Sequence, residues 1–242
     1  MRGGGTELRL LSRSEGVRHH PQDILPCNGR KAFTLAEILI TLGIIGVVAA
    51  VTMLNLIANY QKTVTVNQLK AAYSIFSQAV ERSIEDNGDI ATWELSYSDM
   101  APKYIFPYVE TVGTVKKYNI GALSPGSNFI YWGGWSNKGK IYAMKNGMTY
   151  SLIYDHDVIT LMVDLNGTKG PNRVGRDGFA FRLLPKQNKL ILAGADKSRS
   201  EIIDYYFGGC KKYEQPGAYY SGEFCGALIM IDGWKITPTY PW

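Results

Sequence analysis

An apolar run at residues 33–57 constrains the fold of this chain more than any other feature, and its one charged residue is Glu37. As a helix these residues would be about 37 Å long, enough to span a bilayer. A carboxylate left in hydrocarbon costs about 2.5–3.5 kcal/mol or more. Nothing basic lies inside the run, so we expect Glu37 to have a partner elsewhere. Arg30 and Lys31 lie just upstream, on the side that the positive-inside rule assigns to the cytoplasm.

The residues at the start of this run carry a family resemblance. A basic leader and the small residue Ala32 precede the sequence Phe-Thr-Leu-Ala-Glu, which begins at Phe33 and ends at Glu37. The combination resembles the N-terminal cleavage and methylation motif shared by type IV pilins and type II secretion pseudopilins. The resemblance implies that a membrane-embedded aspartyl prepilin peptidase cuts between Ala32 and Phe33 and methylates the new N-terminus. It also implies that the Glu37 carboxylate faces the N-terminal amine of a neighbouring subunit.

Two positions depart from the family pattern. The residue before the cut is usually Gly, and here it is Ala32. Because Ala is small, we expect a peptidase pocket that excludes bulk to admit it. Many members also have a Pro where this chain has Leu54. A Pro would remove a backbone hydrogen bond, so its absence predicts a more continuous helix, with Gly43 and Gly46 as the remaining weak points.

The chain is expected to consist of four parts. These are a leader at residues 1–32, an apolar helix half at 33–57, an amphipathic helix half at 58–87 and a head at 88–242. A secretory signal has its apolar stretch before the cleavage site, whereas here the stretch follows the cut and is retained. The residues after the helix suffice for one compact domain with its own core.

The helix is predicted to continue beyond the apolar run. Between residues 60 and 86, apolar side chains recur at spacings of three and four and form one stripe. Its members are Val66, Leu69, Tyr73, Phe76, Val80 and Ile84. Asn87 and Gly88 supply a stop signal. A coiled-coil stalk is the alternative, but the run is too short to favour it.

The head is predicted to be rich in β-strands. Asn146 and Gly147 form the strongest short hairpin signal in the chain, between two strand-like runs. Five strands are expected in all, at residues 141–145, 148–154, 158–165, 179–184 and 189–193. Short antiparallel strands after one long helix predict an α+β fold. The resemblance implies the same pilin-like fold, with a small antiparallel sheet packed on the second half of the helix.

The charge of the chain gives no indication of nucleic-acid binding. The net charge is +5, but the leader has six basic and three acidic residues and accounts for +3 of it. The mature product is therefore only +2, and no Lys/Arg cluster with interleaved aromatic residues occurs in it. We predict no nucleic-acid partner from this composition.

Three cysteines occur, and one of them, Cys27, lies in the leader. Removal of the leader leaves Cys210 and Cys225 on the exported side, where disulfides persist. We predict that they form a disulfide, with two free thiols as the alternative. A structural zinc site is not expected, because His156 is the only histidine after the leader and no CxxC occurs.

One segment, residues 164–177, has the composition of an ion site. Asp164, Asn166 and Asp177 offer the oxygen ligands that calcium takes, and glycines bend the chain between them. Some type II secretion pseudopilins bind calcium in a loop of the head, so the resemblance favours this metal. The segment lacks the terminal Glu of an EF-hand, and three basic residues intrude. The alternative is a turn whose side chains cap their own backbone. No other cofactor is expected.

The sequence contains little that indicates a catalytic site. His156 stands alone between two aspartates, and neither a nucleophile elbow nor a P-loop is present. We therefore predict that the chain is not an enzyme but a substrate of the prepilin peptidase.

Two functions remain. The first is a structural subunit of a type IV pilus or type II secretion pseudopilus. Its partners would be the peptidase, homologous subunits and an inner-membrane assembly platform. The protein would first lie in the bacterial inner membrane as a single-pass protein with an extracytoplasmic head, and later in an extracellular or periplasmic filament. The second is a membrane-anchored binding protein that never polymerises.

Overall fold

The computed structural model describes residues 33–95, 100–116, 140–155, 157–170, 172–205, 208–211 and 222–242. The predicted leader, Ala32 and His156 lie outside these residues. The helices are α1 (Leu35–Asn87), α2 (Ala101–Tyr104), α3 (Arg199–Asp204) and α4 (Cys225–Ile231). The strands are β1 (Thr111–Val115), β2 (Ile141–Met144), β3 (Thr149–Asp155), β4 (Val158–Asp164), β5 (Gly178–Leu184) and β6 (Lys189–Leu192).

Helix α1 has 53 residues and contains no proline, so every turn keeps its backbone hydrogen-bond donors. It ends at the predicted stop signal. Gly88 adopts a φ of +78° and donates its N–H to the carbonyl of Ile84 at 2.9 Å. A left-handed residue just after the last turn is how many helices end. The chain divides into two compact units between Ala50 and Val51, within this helix.

The second unit contains one antiparallel sheet of six strands in the order β1-β2-β3-β4-β5-β6. Each strand therefore pairs with the next one in the chain. The turn between β2 and β3 has the predicted Asn146 and Gly147, and the Asn146 side chain accepts the N–H of Met148 at 3.0 Å. Gly147 has a φ of +89°, a conformation that glycine adopts without a steric cost.

The core of the head lies between this sheet and the second half of α1. Leu69 and Phe76 are fully buried. The ring of Phe76 meets the ring of Tyr150 on β3 with centroids 5.4 Å apart, and that of Phe181 on β5 at 6.5 Å. The stripe predicted from the spacing of apolar residues is thus the face that packs on the sheet. The predicted pilin-like α+β fold is confirmed.

The region after β6 closes the core from another side. Glycine is required at position 194, because a Cβ there would lie 2.7 Å from Cγ of the buried Phe224. Next to Phe224, the Glu223 carboxylate accepts a hydrogen bond at 2.9 Å from the guanidinium of Arg182 on β5. The same guanidinium lies 5.3 Å from the centre of the Phe224 ring. These contacts attach the start of α4 to the sheet.

Candidate processing and assembly site

The N-terminal end of α1 is closed by a reciprocal pair of hydrogen bonds. The Thr34 hydroxyl oxygen accepts the N–H of Glu37 at 3.2 Å. In return, Oε2 of Glu37 accepts the Thr34 N–H at 2.8 Å and the Thr34 hydroxyl at 2.9 Å. This arrangement is a capping box, which satisfies N–H groups that the first turn of a helix leaves without partners. Phe33, just outside the helix, is 81% exposed.

Glu37 therefore has an uncharged partner within its own chain. Sequence reasoning looked only for a basic partner and missed this one, although a Thr followed three residues later by a Glu is a capping-box signal. The donors from Thr34 are neutral, so they do not cancel the charge of the carboxylate. Oε1 of Glu37 accepts no hydrogen bond from any described residue. One oxygen thus remains open to a further donor.

The apolar side chains that follow have no cover in the structure. Leu35 is 80% exposed and Leu54 is 72% exposed. The same holds for Ile38, Leu39, Ile40, Leu42, Ile44, Ile45, Val47, Val48, Val51, Met53, Leu56 and Ile57. By length and composition, α1 can cross a membrane. Together with the motif before it, this apolar helix fits a single-pass membrane anchor.

The three candidate calcium ligands come together in the described head. Asp164 is buried at the end of β4, and its Oδ1 accepts the N–H of Asn166 at 3.1 Å. The Asn166 amide reaches Oδ1 of Asp177 at 3.4 Å, and Oδ2 of Asp177 accepts the N–H of Arg173 at 3.2 Å. Burial raises the pKa of Asp177, while the hydrogen bond from Arg173 opposes that shift.

These hydrogen bonds are those of the turn alternative. The carboxylate oxygens already accept N–H donors, and within the described residues no group of three or more His, Cys, Asp or Glu side chains could hold a metal ion. Calcium would have to replace those donors, whereas the buried Oδ1 of Asn166 accepts no hydrogen bond from a described residue. Calcium binding by this loop stays a prediction. A calcium-dependent rise in the melting temperature, absent from Asp177→Asn, would support it.

The C-terminal residues pack against the same loop. The Tyr240 hydroxyl donates to the carbonyl oxygen of Gly175, and burial raises the pKa of Tyr240 far above its ordinary value. The guanidinium of Arg176 lies 4.8 Å from the centre of the Trp242 ring. The end of the chain therefore helps to fix the loop, a tertiary contact that the sequence pattern did not indicate.

Cys210 and Cys225 form a disulfide, as the sequence predicted, with their Cα atoms 4.8 Å apart. Both are buried. The backbone supports the pairing, because Cys210 donates its N–H to the carbonyl of Ile202 on α3 at 2.8 Å. Cys225 is the first residue of α4. The bridge thus joins the segment after α3 to the start of α4.

The long helix with its N-terminal motif and the antiparallel sheet that packs on its second half define a prepilin-like protein. A model of the prokaryotic N-terminal methylation motif matches residues 27–53, which include the predicted cleavage junction and Glu37. The chain belongs to a family of unknown function (DUF6613), whose model matches residues 55–242. No curated protein and no solved structure matches the chain.

The motif match supports a pilin-type precursor, and the long apolar helix fits a single-pass membrane anchor. Cleavage between Ala32 and Phe33, methylation of Phe33 and the assembly role of Glu37 stay predictions. Neither matching description names an enzymatic activity, and the prediction that the chain is not an enzyme also remains one.

Proposed function

We propose that the chain is the precursor of a structural subunit of a type IV pilus or a type II secretion pseudopilus. A prepilin peptidase cuts it between Ala32 and Phe33 and methylates Phe33. The mature subunit then leaves the inner membrane, with its head on the extracytoplasmic side, through an assembly platform. It packs against homologous subunits in a filament outside the cytoplasm.

The exposure of the apolar residues at 33–57 is the observation that carries this proposal. The head completes its own core with the stripe at Val66, Leu69, Phe76 and Val80, which are all buried. The large apolar side chains at 33–57 are exposed instead. A helix that is apolar all round must be covered by lipid or by other helices. In the precursor, lipid covers this helix. In the filament, the helices of neighbouring subunits cover it.

The geometry around Glu37 supports a defined subunit register. Thr34 occupies Oε2 of the carboxylate, and Oε1 is open. The free amine of a cleaved Phe33 in a neighbouring subunit would supply both a donor and the missing positive charge. Among apolar helices, an unpaired charge costs several kcal/mol. Only the register that brings an amine to each carboxylate avoids this cost.

Intact mass and N-terminal sequencing of the membrane-extracted protein test the proposal. We expect a chain that begins at methylated Phe33. Substitution of the residue before the cut gives a matched pair. Ala32→Gly should be processed at least as fast as the wild type, whereas Ala32→Trp should accumulate uncleaved because the pocket excludes bulk.

The alternative is a membrane-anchored binding protein that does not polymerise. It predicts an N-terminus at or near Met1 in the extracted protein and no response to either substitution at Ala32. That result would overturn the proposal. Where cleavage does occur, the place from which filaments are recovered, the cell surface or the periplasm, distinguishes a pilus from a pseudopilus.

A further inference from the structure

An open groove of about 400 Å³ lies on the described head, beside the part of α1 that follows the apolar run. We call it the lysine groove. One wall comes from α1 and the other from the segment after α4. Its lining residues are Asn59, Lys62, Thr63, Val66, Asn67, Lys70, Trp234, Lys235 and Ile236. Those from α1 recur at spacings of three and four, so they share one side of the helix.

The charge of the lysine groove is of one sign. Lys62, Lys70 and Lys235 all line it, and no carboxylate of a described residue does. Within the described residues, none of the three lysines forms an ion pair. Asn59 and Asn67 add side-chain amides that can donate hydrogen bonds. Three cations that form no ion pair with a described residue, with neutral donors between them, are a set that recognises an anion with several oxygens, such as a phosphate ester.

Trp234 gives the groove its second wall through an unusual backbone. Gly233 and Trp234 adopt φ angles of +75° and +60°, and left-handed backbone is rare for a bulky residue such as Trp. The turn is held by the N–H of Trp234, which donates to the carbonyl of Ile229 at 2.8 Å. Nζ of Lys70 lies 5.6 Å from the centre of the Trp234 ring. The indole thus forms an amphipathic wall beside the cations.

The groove begins close in sequence to the end of the apolar run. Asn59 is only two residues beyond Ile57, where the apolar run ends. Tryptophan is enriched where protein meets the headgroup layer, and lysine near a membrane surface is attracted to anionic lipids. The proposed orientation places Lys62 and Lys70 on the exported side, where the positive-inside rule gives no reason for basic residues. Binding of an anionic ligand at the membrane surface would explain why these lysines are there.

We propose that the lysine groove binds the phosphate headgroup of an anionic membrane phospholipid, such as phosphatidylglycerol, while the protein is anchored in the membrane. The inference rests on the membrane anchorage in the proposed function and not on cleavage or polymerisation. The three ammonium groups attract the lipid phosphate, and the Asn59 and Asn67 amides offer hydrogen-bond donors to the glycerol hydroxyls. Trp234 packs against the apolar part of the lipid that lies next to the headgroup.

Lipid retention by the full chain tests this proposal. The protein is reconstituted in nanodiscs of equal parts phosphatidylglycerol and phosphatidylcholine, and the lipids that stay bound are counted by native mass spectrometry. The variant K62Q/K70Q/K235Q removes the three charges of the groove. The matched control K169Q/K186Q/K189Q removes the same charge from exposed lysines elsewhere on the head. Equal melting temperatures establish that both variants are folded.

We expect the wild type and the control to retain phosphatidylglycerol in excess of phosphatidylcholine. In the groove variant this excess should fall about tenfold or more, because each lysine near a membrane surface contributes a factor of about five. Retention unchanged in the groove variant, or reduced equally in the control, overturns the proposal. Binding of inorganic phosphate that is lost in the groove variant, without any excess of retained phosphatidylglycerol in the wild type, would identify the free ion as the ligand and would also overturn the lipid proposal.

A second copy of the chain is the competing occupant. If the groove variant keeps its lipid but loses cross-links between copies, the groove is a protein interface and the lipid proposal is wrong. The intact mass of the protein in the same samples distinguishes a failure of the proposed function from a failure of the lipid proposal. An uncleaved N-terminus contradicts the proposed function and leaves the lipid result standing, whereas equal lipid retention contradicts only the groove.

Discussion

The two halves of α1 use the same residue types with opposite results. Leu54 in the first half is 72% exposed, whereas Leu69 in the second half is fully buried against the head. Helix propensity and hydrophobicity are the same for both leucines. The difference lies in what the chain provides as a partner. The second half packs on a sheet of its own chain, whereas the large apolar side chains of the first half are exposed in the part of the chain that the structure describes.

The free energy lost by leaving the first half uncovered shows that this half needs a partner outside its own chain. Burial of one large apolar side chain contributes about 1.5–3 kcal/mol. Fifteen large apolar side chains between Phe33 and Ile57 are exposed, so the uncovered helix forgoes free energy on the order of tens of kcal/mol. That is more than the whole stability of an ordinary domain. The first half therefore requires lipid or other subunits, while the head is complete without them.

The largest effect is expected from Glu37→Ala. This change removes the only charge in the first half. In the proposed filament it would leave the Phe33 amine of a neighbouring subunit unpaired, at a cost of several kcal/mol. We expect the protein to be cleaved normally while the amount of filament falls about a hundredfold. Immunoblots of sheared filaments and of membranes, with an antibody to the head, measure the two quantities.

Glu37→Gln is the matched control for this prediction. A Gln can still accept the Thr34 N–H and close the helix, but it carries no charge. If charge pairing sets the register, Gln will assemble as poorly as Ala. Assembly at the wild-type level in the Gln variant would assign Glu37 a capping role only. Normal assembly of the Ala variant would contradict both roles.

The second largest effect is expected from Phe76→Ala in the other half of α1. Phe76 is fully buried and packs against Tyr150 and Phe181. Loss of a buried Phe side chain costs about 3–5 kcal/mol, through lost transfer free energy and the cavity that remains. Urea unfolding of the detergent-solubilised chain, followed by tryptophan fluorescence, measures the free energy of unfolding of the head.

Leu42→Ala is the counterpart in the apolar half. Leu42 is 60% exposed, and its truncation should change the free energy of unfolding of the head by less than about 0.5 kcal/mol. It should instead weaken filaments. Equal destabilisation of the head by the two substitutions would remove the distinction between the halves.

The third prediction concerns the disulfide, which exists only in the head. It closes a loop of 15 residues between Cys210 and Cys225. Its loss in the double variant C210S/C225S should cost about 3 kcal/mol by the chain-entropy argument. For a domain of this size that corresponds to a fall in melting temperature of about 6–12 °C. Thermal unfolding followed by circular dichroism measures it.

Cys27→Ser is the control, because Cys27 lies in the predicted leader and should not alter the melting temperature. Membrane insertion and cleavage of the double variant should be normal, since neither depends on the folded head. Failure of the double variant to be cleaved would show that the two regions are not independent at the processing step.

Much of this division could be predicted from the sequence, because both helix halves follow from local spacing. The stripe from Val66 to Val80 gave the buried face, and Asn146 with Gly147 gave the hairpin. Strand β1 was missed, since the conformationally permissive Gly113 lies at its centre and weakens the strand pattern. Helix α3 was missed although Ser198 and Glu201 form a readable capping box.

The candidate sites also divide into those that are local in sequence, which could be predicted, and those that the fold assembles, which could not. Glu37 and its motif are local in sequence, and the missed partner Thr34 was local too. The lysine groove was not predictable, because Lys62 and Lys235 are brought to one surface only by the fold. The same holds for the packing of Tyr240 on Gly175. Residues that act together across a long stretch of chain leave no periodic signal, and only tertiary structure reveals them.

The smallest effect is expected from the ion pair between α3 and the end of α4. The Asp232 carboxylate accepts hydrogen bonds from Nε and Nη2 of Arg199, at 2.8 and 3.1 Å. The Arg199 guanidinium, with a smaller contribution from Thr237, lowers the pKa of Asp232 below its ordinary value. A carboxylate with a lowered pKa in the folded state stabilises the protein above the unfolded pKa, and this contribution is lost as the pH falls through the folded pKa.

Asp232→Asn should therefore make the head modestly less stable than the wild type at neutral pH. The difference should be constant down to the ordinary aspartate pKa of about 3.9 and should shrink at lower pH as the wild-type carboxylate takes up its proton. Urea unfolding at a series of pH values measures it. The matched control is Asp204→Asn, which breaks the exposed pair with Lys211 and should have no measurable effect. A difference between wild type and Asp232→Asn that stays the same at every pH would mean that packing, and not charge, holds α3 to the end of α4. Insertion of the apolar half should respond to neither substitution, because both alter the head alone.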